Sequence, residues 1–475
     1  MTLLKNATVV HLHPPKVLEN TDIAIDGGTI VEVGREAAAA ANGPGERTID
    51  LAGRVVMPGL VCGHTHFYSA LSRGILARIE PSSDFVATLQ NLWWRLDRAI
   101  DGEILEASAM AGALDAVRSG CTSVIDHHAS PSCIVGSLDV IAGCLERTGL
   151  RGILCYETTD RNGRDGAVQG IEENRRFAAK VDAGRRAGGD GPRAGSRLVE
   201  AMIGGHAPFT LGEETLEALA AAARGTGRGF HVHVSEDPFD AAHSHHAYGT
   251  DPLARLAAHG LLTDRALVAH GVHLPAADRG ILAASGAFLA HNARSNMNNH
   301  VGYQPGLPSL SRVVLGTDGI GSDMFEETRT AYFKHRDAGG PLSPGDFVRF
   351  LQNGNEVVAR SFGGTFGKVE KGSAADLVVL DYVPPTPLVA ANIAGHFVFG
   401  MASAHVQTVI VNGAVVMEDR RFPWDTGPAL EDARAQAEFK RQTLTAGSNT
   451  PGSVLPSPFT SPATGHPPGV VPGHW

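Results

Sequence analysis

The sequence is poor in cysteine, has no surplus of positive charge and contains no long apolar run. Its five cysteines (Cys62, Cys121, Cys133, Cys144 and Cys155) include no CxxC pair and, being odd in number, cannot all pair. That argues against a disulfide framework and for a reduced, cytoplasmic setting. Lys and Arg number 40 against 50 Asp and Glu, a formal net charge of -10. No basic footprint exists for nucleic acid or anionic lipid. No stretch is long and uncharged enough to span a bilayer. The opening "MTLLKNATVVHLHPPKV" lacks the sustained apolar region of a secretory signal and reads as a first strand.

What is present is a chain of 475 residues with 43% hydrophobic content and 22 histidines, many clustered. That length suits one large domain and one smaller one. Residues 1–57 read as short strands with tight turns, as in "TDIAIDGGTIVEVG". The same style returns in "ADLVVLDY" and "VQTVIVNGAVVMEDRRF". A composite β-sandwich from 1–57 and 366–425 is the economical reading. Residues 58–365 then form an inserted domain, 426–448 a terminal helix, and 449–475 a Pro/Gly/Ser-rich tail expected to be disordered.

The middle contains eight strand-like runs: "LVCGHTH", "TSVIDHH", "RGILCYETTD", "VEAMIGGHAP", "GFHVHVSE", "ALVAHGVHL", "GAFLAHN" and "RVVLGTDG". Helical stretches lie between several of them. One starts at Asp101, and another carries a capping-box pattern from Thr210 to Glu213. Apolar strands alternating with helices predict a parallel sheet. Eight of them over roughly 300 residues predict an α/β fold of the (β/α)8 TIM-barrel type, with a doubly wound open sheet as the alternative.

Polar residues cluster at the ends of these runs. They include His64 and His66, Asp126 to His128, Glu157 and Asp160, His206, His233 and Glu236, His270 and His273, His291 and Asn292, and Asp318. The C-terminal face is where such a barrel carries its site. HxH alone is weak, because it arises by chance. Yet residues i and i+2 share one face of a strand, so His64 and His66 can reach one ion. His233 in "FHVHVSE" offers a third imidazole, and Glu236 beside it a proton shuttle. Asp318 in "GTDG" is a turn aspartate on its own; with three imidazoles it completes a ligand set suited to zinc. The fourth run ends in His206 rather than lysine, which favours a single ion.

The motifs "MPGLVCGHTHF", "GGHAPFTL", "HVHVSE", "AHGVHL", "HNARSNMNN", "LGTDGIGSD" and "KVEKGSAADLVVLD" resemble the amidohydrolase superfamily, in its branch of metal-dependent deaminases and chlorohydrolases. "DHHASPS" and "NLWWRLDRAI" are most similar to aminohydrolases of the SsnA type. The resemblance implies a (β/α)8 barrel beside a small β-sandwich. It implies His64, His66, His233 and Asp318 as ligands of one divalent ion, zinc first, with Fe2+ or Mn2+ as alternatives. Glu236, His270 and Asp318 would be catalytic. His206, Arg294 and Asn296 would meet the substrate, joined by His127 and by Tyr68 at the pocket mouth. Ala293 stands where many relatives have proline, so the loop shape there is expected to differ. The "HSHHAYG" stretch (His243, His245, His246) is expected as a solvated loop, or one that reaches the pocket.

The implied activity is hydrolysis of a non-peptide carbon–nitrogen bond by metal-activated water, foremost the deamination of a purine-like or other nitrogen heterocycle. Ring opening of a cyclic amide in a purine-derived substrate is the alternative, and a catalytically silent scaffold is disfavoured because no ligand is missing. The partner would be a small heterocycle, not nucleic acid or membrane, and a homo-oligomer is compatible with it.

Overall fold

A computed structural model describes residues 1–41, 46–75, 79–187 and 198–446, so the tail expected over 449–475 lies outside the described residues. All eight runs are strands: Leu60–Thr65, Cys121–His128, Arg151–Tyr156, Val199–Ala201 continuing as Ile203–Gly204, Phe230–Val234, Leu267–His270, Phe288–His291 and Val313–Leu315. Every neighbouring pair within them is parallel. The ladders form one arc of four strands and one of five, parted where the fourth run breaks at Met202. A bridge at Thr158–Gly205 links the arcs on one side, and a parallel bridge at Thr65–Asp318 links them on the other. The eighth strand therefore returns to the first, in the order of a (β/α)8 ring rather than an open sheet.

Residue alternation shows how the ring fills. Phe288 and Ala290 face an inner apolar cluster with Leu267, Ala269 and Val314, while Leu289 and Val268 face the helices outside. The first strand breaks this alternation. Val61 belongs to the inner cluster, yet His64 and His66 also point inward, and the register shifts between Cys62 and Thr65. Such an irregularity re-aims the side chains that follow it. Gly63 is required there, because a Cβ would lie 2.7 Å from the carbonyl oxygen of Leu315 on the eighth strand.

Between the strands run helices that include Gly102–Arg118, Arg164–Ala187, Glu213–Thr226 and Pro344–Phe362. Asp101 caps the first of these, its carboxylate accepting from the Ile104 amide at 2.9 Å. The capping box expected at Thr210 does not form. Gly212 holds the cap position of that helix, and the Thr210 hydroxyl instead bonds Nδ1 of His206 at 2.7 Å. Glu213 is drawn away by Arg255 at 2.6 Å and His259 at 2.9 Å.

Both ends of the chain build one eight-stranded mixed sheet. Its path runs Ala414–Met417, Val406–Val411, Leu377–Leu380, Val55–Pro58, Thr2–His11, Lys16–Asp26, Thr29–Val33, with Arg47–Asp50 paired to Thr2–His11. A buried bidentate pair, Arg151 to Asp376 at 2.9 and 3.1 Å, ties the base of the barrel to this sheet. The terminal helix spans Gly427–Ala446.

Candidate active site

The strand ends converge as the sequence predicts. Nε2 of His66 lies 2.9 Å from Oδ1 of Asp318 and 3.2 Å from Nε2 of His233. Nε2 of His64 lies 3.6 Å from the same carboxylate oxygen and is buried without a hydrogen-bond partner. Ligands about 2.0–2.1 Å from a tetrahedral zinc are separated by about 3.3 Å, so the spacing fits one ion. Donor atoms of His64, His66, His127 and His233 lie within 4.8 Å of one another, as do those of His64, His233, His270 and Asp318.

The reverse side of each imidazole is held. Nδ1 of His233 donates to the His206 carbonyl at 3.0 Å, and Nδ1 of His66 to the His127 carbonyl. Both rings therefore carry a proton on Nδ1 and turn Nε2 inward, as a lone pair in neutral His233. Nδ1 of His64 meets Nε2 of His231 at 2.9 Å. Burial drives His233 well below the ordinary imidazole value and His64 down to about 3, so both rings are neutral donors. Burial alone would do the same to His66, but its contact with Asp318 raises it to about 9. A set of buried imidazoles and one carboxylate is the donor chemistry of a borderline divalent cation.

Asp318 is fixed from three directions. Its amide donates to the His64 carbonyl at 3.1 Å, Thr65 Oγ1 donates to its carbonyl at 3.2 Å, and Ser295 Oγ donates to Oδ2. Ser235, His270 and Asp318 all take left-handed backbone angles (φ 50°, 71° and 54°) at the rim of one cavity. That costs on the order of 1–3 kcal/mol per residue and marks a site whose geometry the surrounding fold enforces.

The cavity occupies about 690 Å³ including its open mouth. His270 and Glu236 line it, Nε2 to Oε2 3.5 Å apart. Burial pushes the Glu236 carboxyl up, while His270 and a 3.0 Å hydrogen bond from Asn299 oppose the shift. Phe85, Trp93, Trp94, Phe209 and Phe239 supply an apolar wall. A π-helical turn at Leu89–Trp93 introduces the two tryptophans, and both line the cavity.

Tyr68, Asp97, Glu157, Arg161 and His206 give the same cavity a polar patch. Arg161 is buried. It donates to Asp97 at 2.5 Å, lies 3.6 Å from Glu157 and packs over the Trp94 ring. Burial pushes the Glu157 carboxyl up to about 7. Glu157 is readable as a polar residue at a strand end; Asp97 and Asn299 fall within the stretches "NLWWRLDRAI" and "HNARSNMNN", but nothing in those stretches assigns them to the cavity, since each lies in a helix or at its end and reaches it only through tertiary packing.

Other expected contacts sit elsewhere. Arg294 does not line the cavity: Glu327 at 2.7 Å and Glu326 at 2.6 Å hold it. Asn296 and His127 lie behind the cavity surface. Asn296 Oδ1 accepts from Nδ1 of His270 at 2.9 Å, and Nδ1 of His127 lies 3.5 Å from Glu157. The segment after the seventh strand is a short helix, Ala293–Asn298. His243, His245 and His246 lie on the helix Pro238–Tyr248, not a loop, and none lines the cavity. Asp237 caps that helix through the Phe239 amide, and His245 pairs with Asp251 at 2.6 Å.

The chain is 30% identical over 447 residues to a 5'-deoxyadenosine deaminase of Methanosarcina barkeri, covering 92% of this chain and 97% of the relative. It is 30% identical over 453 residues to a 5-methylthioadenosine/S-adenosylhomocysteine deaminase of Pelotomaculum thermopropionicum, covering 93% and 98%. Among solved structures, an adenosine deaminase from Xanthomonas campestris with bound zinc superposes with a TM-score of 0.77 at 26% identity, covering 93% of this chain and 98% of that one. The fold is shared with an atrazine chlorohydrolase of Arthrobacter aurescens, with a TM-score of 0.75 at 24% identity over 92% of this chain and 100% of that one. The model of the amidohydrolase family matches residues 55–416. The chain belongs to the amidohydrolase family, as a hydrolase of its deaminase and chlorohydrolase branch.

Proposed function

We propose that the protein is a zinc-dependent aminohydrolase that deaminates a purine-like heterocycle. The observation that carries this reading is the placement of Glu236 and His270, 3.5 Å apart, beside the ligand set and within one aromatic-walled cavity. His64, His66, His233 and Asp318 would hold the ion. A bound divalent ion supplies Lewis acidity and lowers the pKa of water to about 7.

The remaining chemistry belongs to the chain. Water adds to an sp2 carbon of the ring and the exocyclic amine leaves as ammonia, so one proton must reach a ring nitrogen and another the amine. Glu236, whose carboxyl burial pushes above its ordinary value, delivers the first and recovers a proton from the added hydroxyl as the carbonyl forms. Asp318 takes a proton from water and passes it to the departing amine. His270, whose Nδ1 donates to Asn296, presents Nε2 to the attacking water and orients it. The aromatic wall stacks the ring, and Tyr68, Glu157, Arg161 and His206 read its polar edge. The curated relatives named as deaminases of 5'-deoxyadenosine and of 5-methylthioadenosine/S-adenosylhomocysteine make adenosine derivatives the first substrates to try.

The test is a screen on zinc-loaded protein with 5'-deoxyadenosine, aminated purines, pyrimidines and reduced purines. Ammonia release and ring ultraviolet absorbance are followed together. Stoichiometric ammonia with retention of the ring supports the proposal. Loss of ring absorbance without ammonia would replace deamination by ring opening.

A further inference from the structure

We propose that Lys440, on the terminal helix Gly427–Ala446, is a positioning residue for the substrate wall: it holds the carbonyl of Tyr68 and so fixes the turn that carries Tyr68 into the cavity. This helix lies beyond residues 55–416, which the family model matches.

Lys440 is fully buried, the only lysine so placed among the described residues. Its Nζ donates to the Tyr68 carbonyl at 3.2 Å and to Ser72 Oγ at 3.1 Å. Both acceptors are neutral. An ammonium with no carboxylate in direct contact is costly to bury, and burial pushes Lys440 down to about 7 although the charge of Asp97 opposes the shift. A methionine of similar length would fill the same space at lower cost. The lysine therefore makes a poor choice for packing alone, and what it touches explains it.

Its acceptors belong to the 3-10 turn Phe67–Ser72, directly after the ligand His66. That turn has few other anchors for the Tyr68 carbonyl. Ser108 Oγ lies 2.7 Å from the Phe67 carbonyl and 3.0 Å from that of Tyr68, but a hydroxyl has one proton to give. The shorter contact takes it, and Lys440 satisfies the other oxygen. The Phe67 amide is held separately by Asp126 at 2.7 Å, and Ser69 Oγ by the His66 and Gly319 carbonyls. Tyr68, whose ring lies 5.3 Å from that of His66, thus depends on the terminal helix for its backbone position. A second strap, from Arg95 to the Leu444 carbonyl, joins the same helix to the segment carrying Trp93 and Trp94.

The experiment compares the full-length protein with Lys440→Met. Amide hydrogen exchange within Phe67–Ser72 should accelerate by about 10-fold or more, while the thermal midpoint stays level or rises and zinc stoichiometry is unchanged. A structural lysine would give the opposite pairing: a lower midpoint with exchange raised along the whole helix. That result, or unchanged exchange in the turn, overturns the proposal. Should Lys440→Met not fold, Ser72→Ala removes one of the two acceptors at a half-buried position and should raise exchange in the same turn by a smaller factor; no rise there would overturn the proposal too. On 5'-deoxyadenosine, Lys440→Met should raise KM more than it lowers kcat. This last arm rests on the proposed deaminase activity; if the wild type releases no ammonia, that reading fails on its own and the exchange result still decides the role of Lys440.

Discussion

Nε2 of His66 and Oδ1 of Asp318 lie 2.9 Å apart, although one residue follows the first barrel strand and the other the eighth. An ion held between them binds the folded chain and not the unfolded one. Free zinc at 100 times its dissociation constant should add about 2.7 kcal/mol of stability. Chelation is expected to abolish turnover and lower the thermal midpoint, and zinc to restore both. A midpoint indifferent to metal, with metal content measured in parallel, would remove the ion from this site.

Glu236→Gln should keep the metal and lower kcat by about 10²–10⁴-fold or more. The pH profile carries a finer check. The protonated carboxyl is the form that donates, and burial places its titration above the ordinary 4.5, so activity should persist above that pH and fall on an alkaline limb. Asn299 donates to the ionised form and thereby lowers the value. Asn299→Leu should move the alkaline limb of kcat/KM upward. A limb that does not move, or moves down, separates Glu236 from the proton transfer.

Arg161 and Asp97 are both buried and share a 2.5 Å contact. Removing only the arginine strands a carboxylate, so Arg161→Met should cost about 3–5 kcal/mol in chemical denaturation. Adding Asp97→Leu to it should recover much of that stability. Substrate affinity should not return with it, because the polar patch is gone. Recovery of both together would make the pair purely structural.

Thr210 offers a test that the helix rule alone would predict wrongly. Thr210→Val removes the hydrogen bond to Nδ1 of His206 and leaves the cap at Gly212 intact. Helicity and midpoint should hardly change, while KM rises by up to about 10-fold, the worth of one such bond. A loss of helix signal with unchanged KM would restore the capping role.

The parts legible in the sequence were those that repeat. Eight apolar runs, each ended by polar residues, announced the parallel ring and most of its C-terminal rim. His64, His66, His233 and Asp318 stood at or just beyond strand ends, where the strand order brings them together, although an irregularity after Cys62 and a left-handed turn at Asp318 set their final direction. Arg294 misled because its charge was visible but its partners, Glu326 and Glu327, were a helix away. Thr210 misled because a local rule met a competing partner, His206, at the end of the preceding strand. Asp97 and Lys440 were unreadable for a different reason. Their roles come from where a helix docks, which no spacing within the helix encodes.

The bridge between Thr65 and Asp318 joins residues 253 apart in the chain. A contact of that separation is among the last a folding chain makes, since the intervening loop must be ordered before closure is rewarded. The proposed ligands His64 and His66 on one side and Asp318 on the other are therefore expected to meet only as the ring closes. Metal uptake can then serve as a clock for folding: its rate, followed during refolding, should track the slowest structural phase and never precede it.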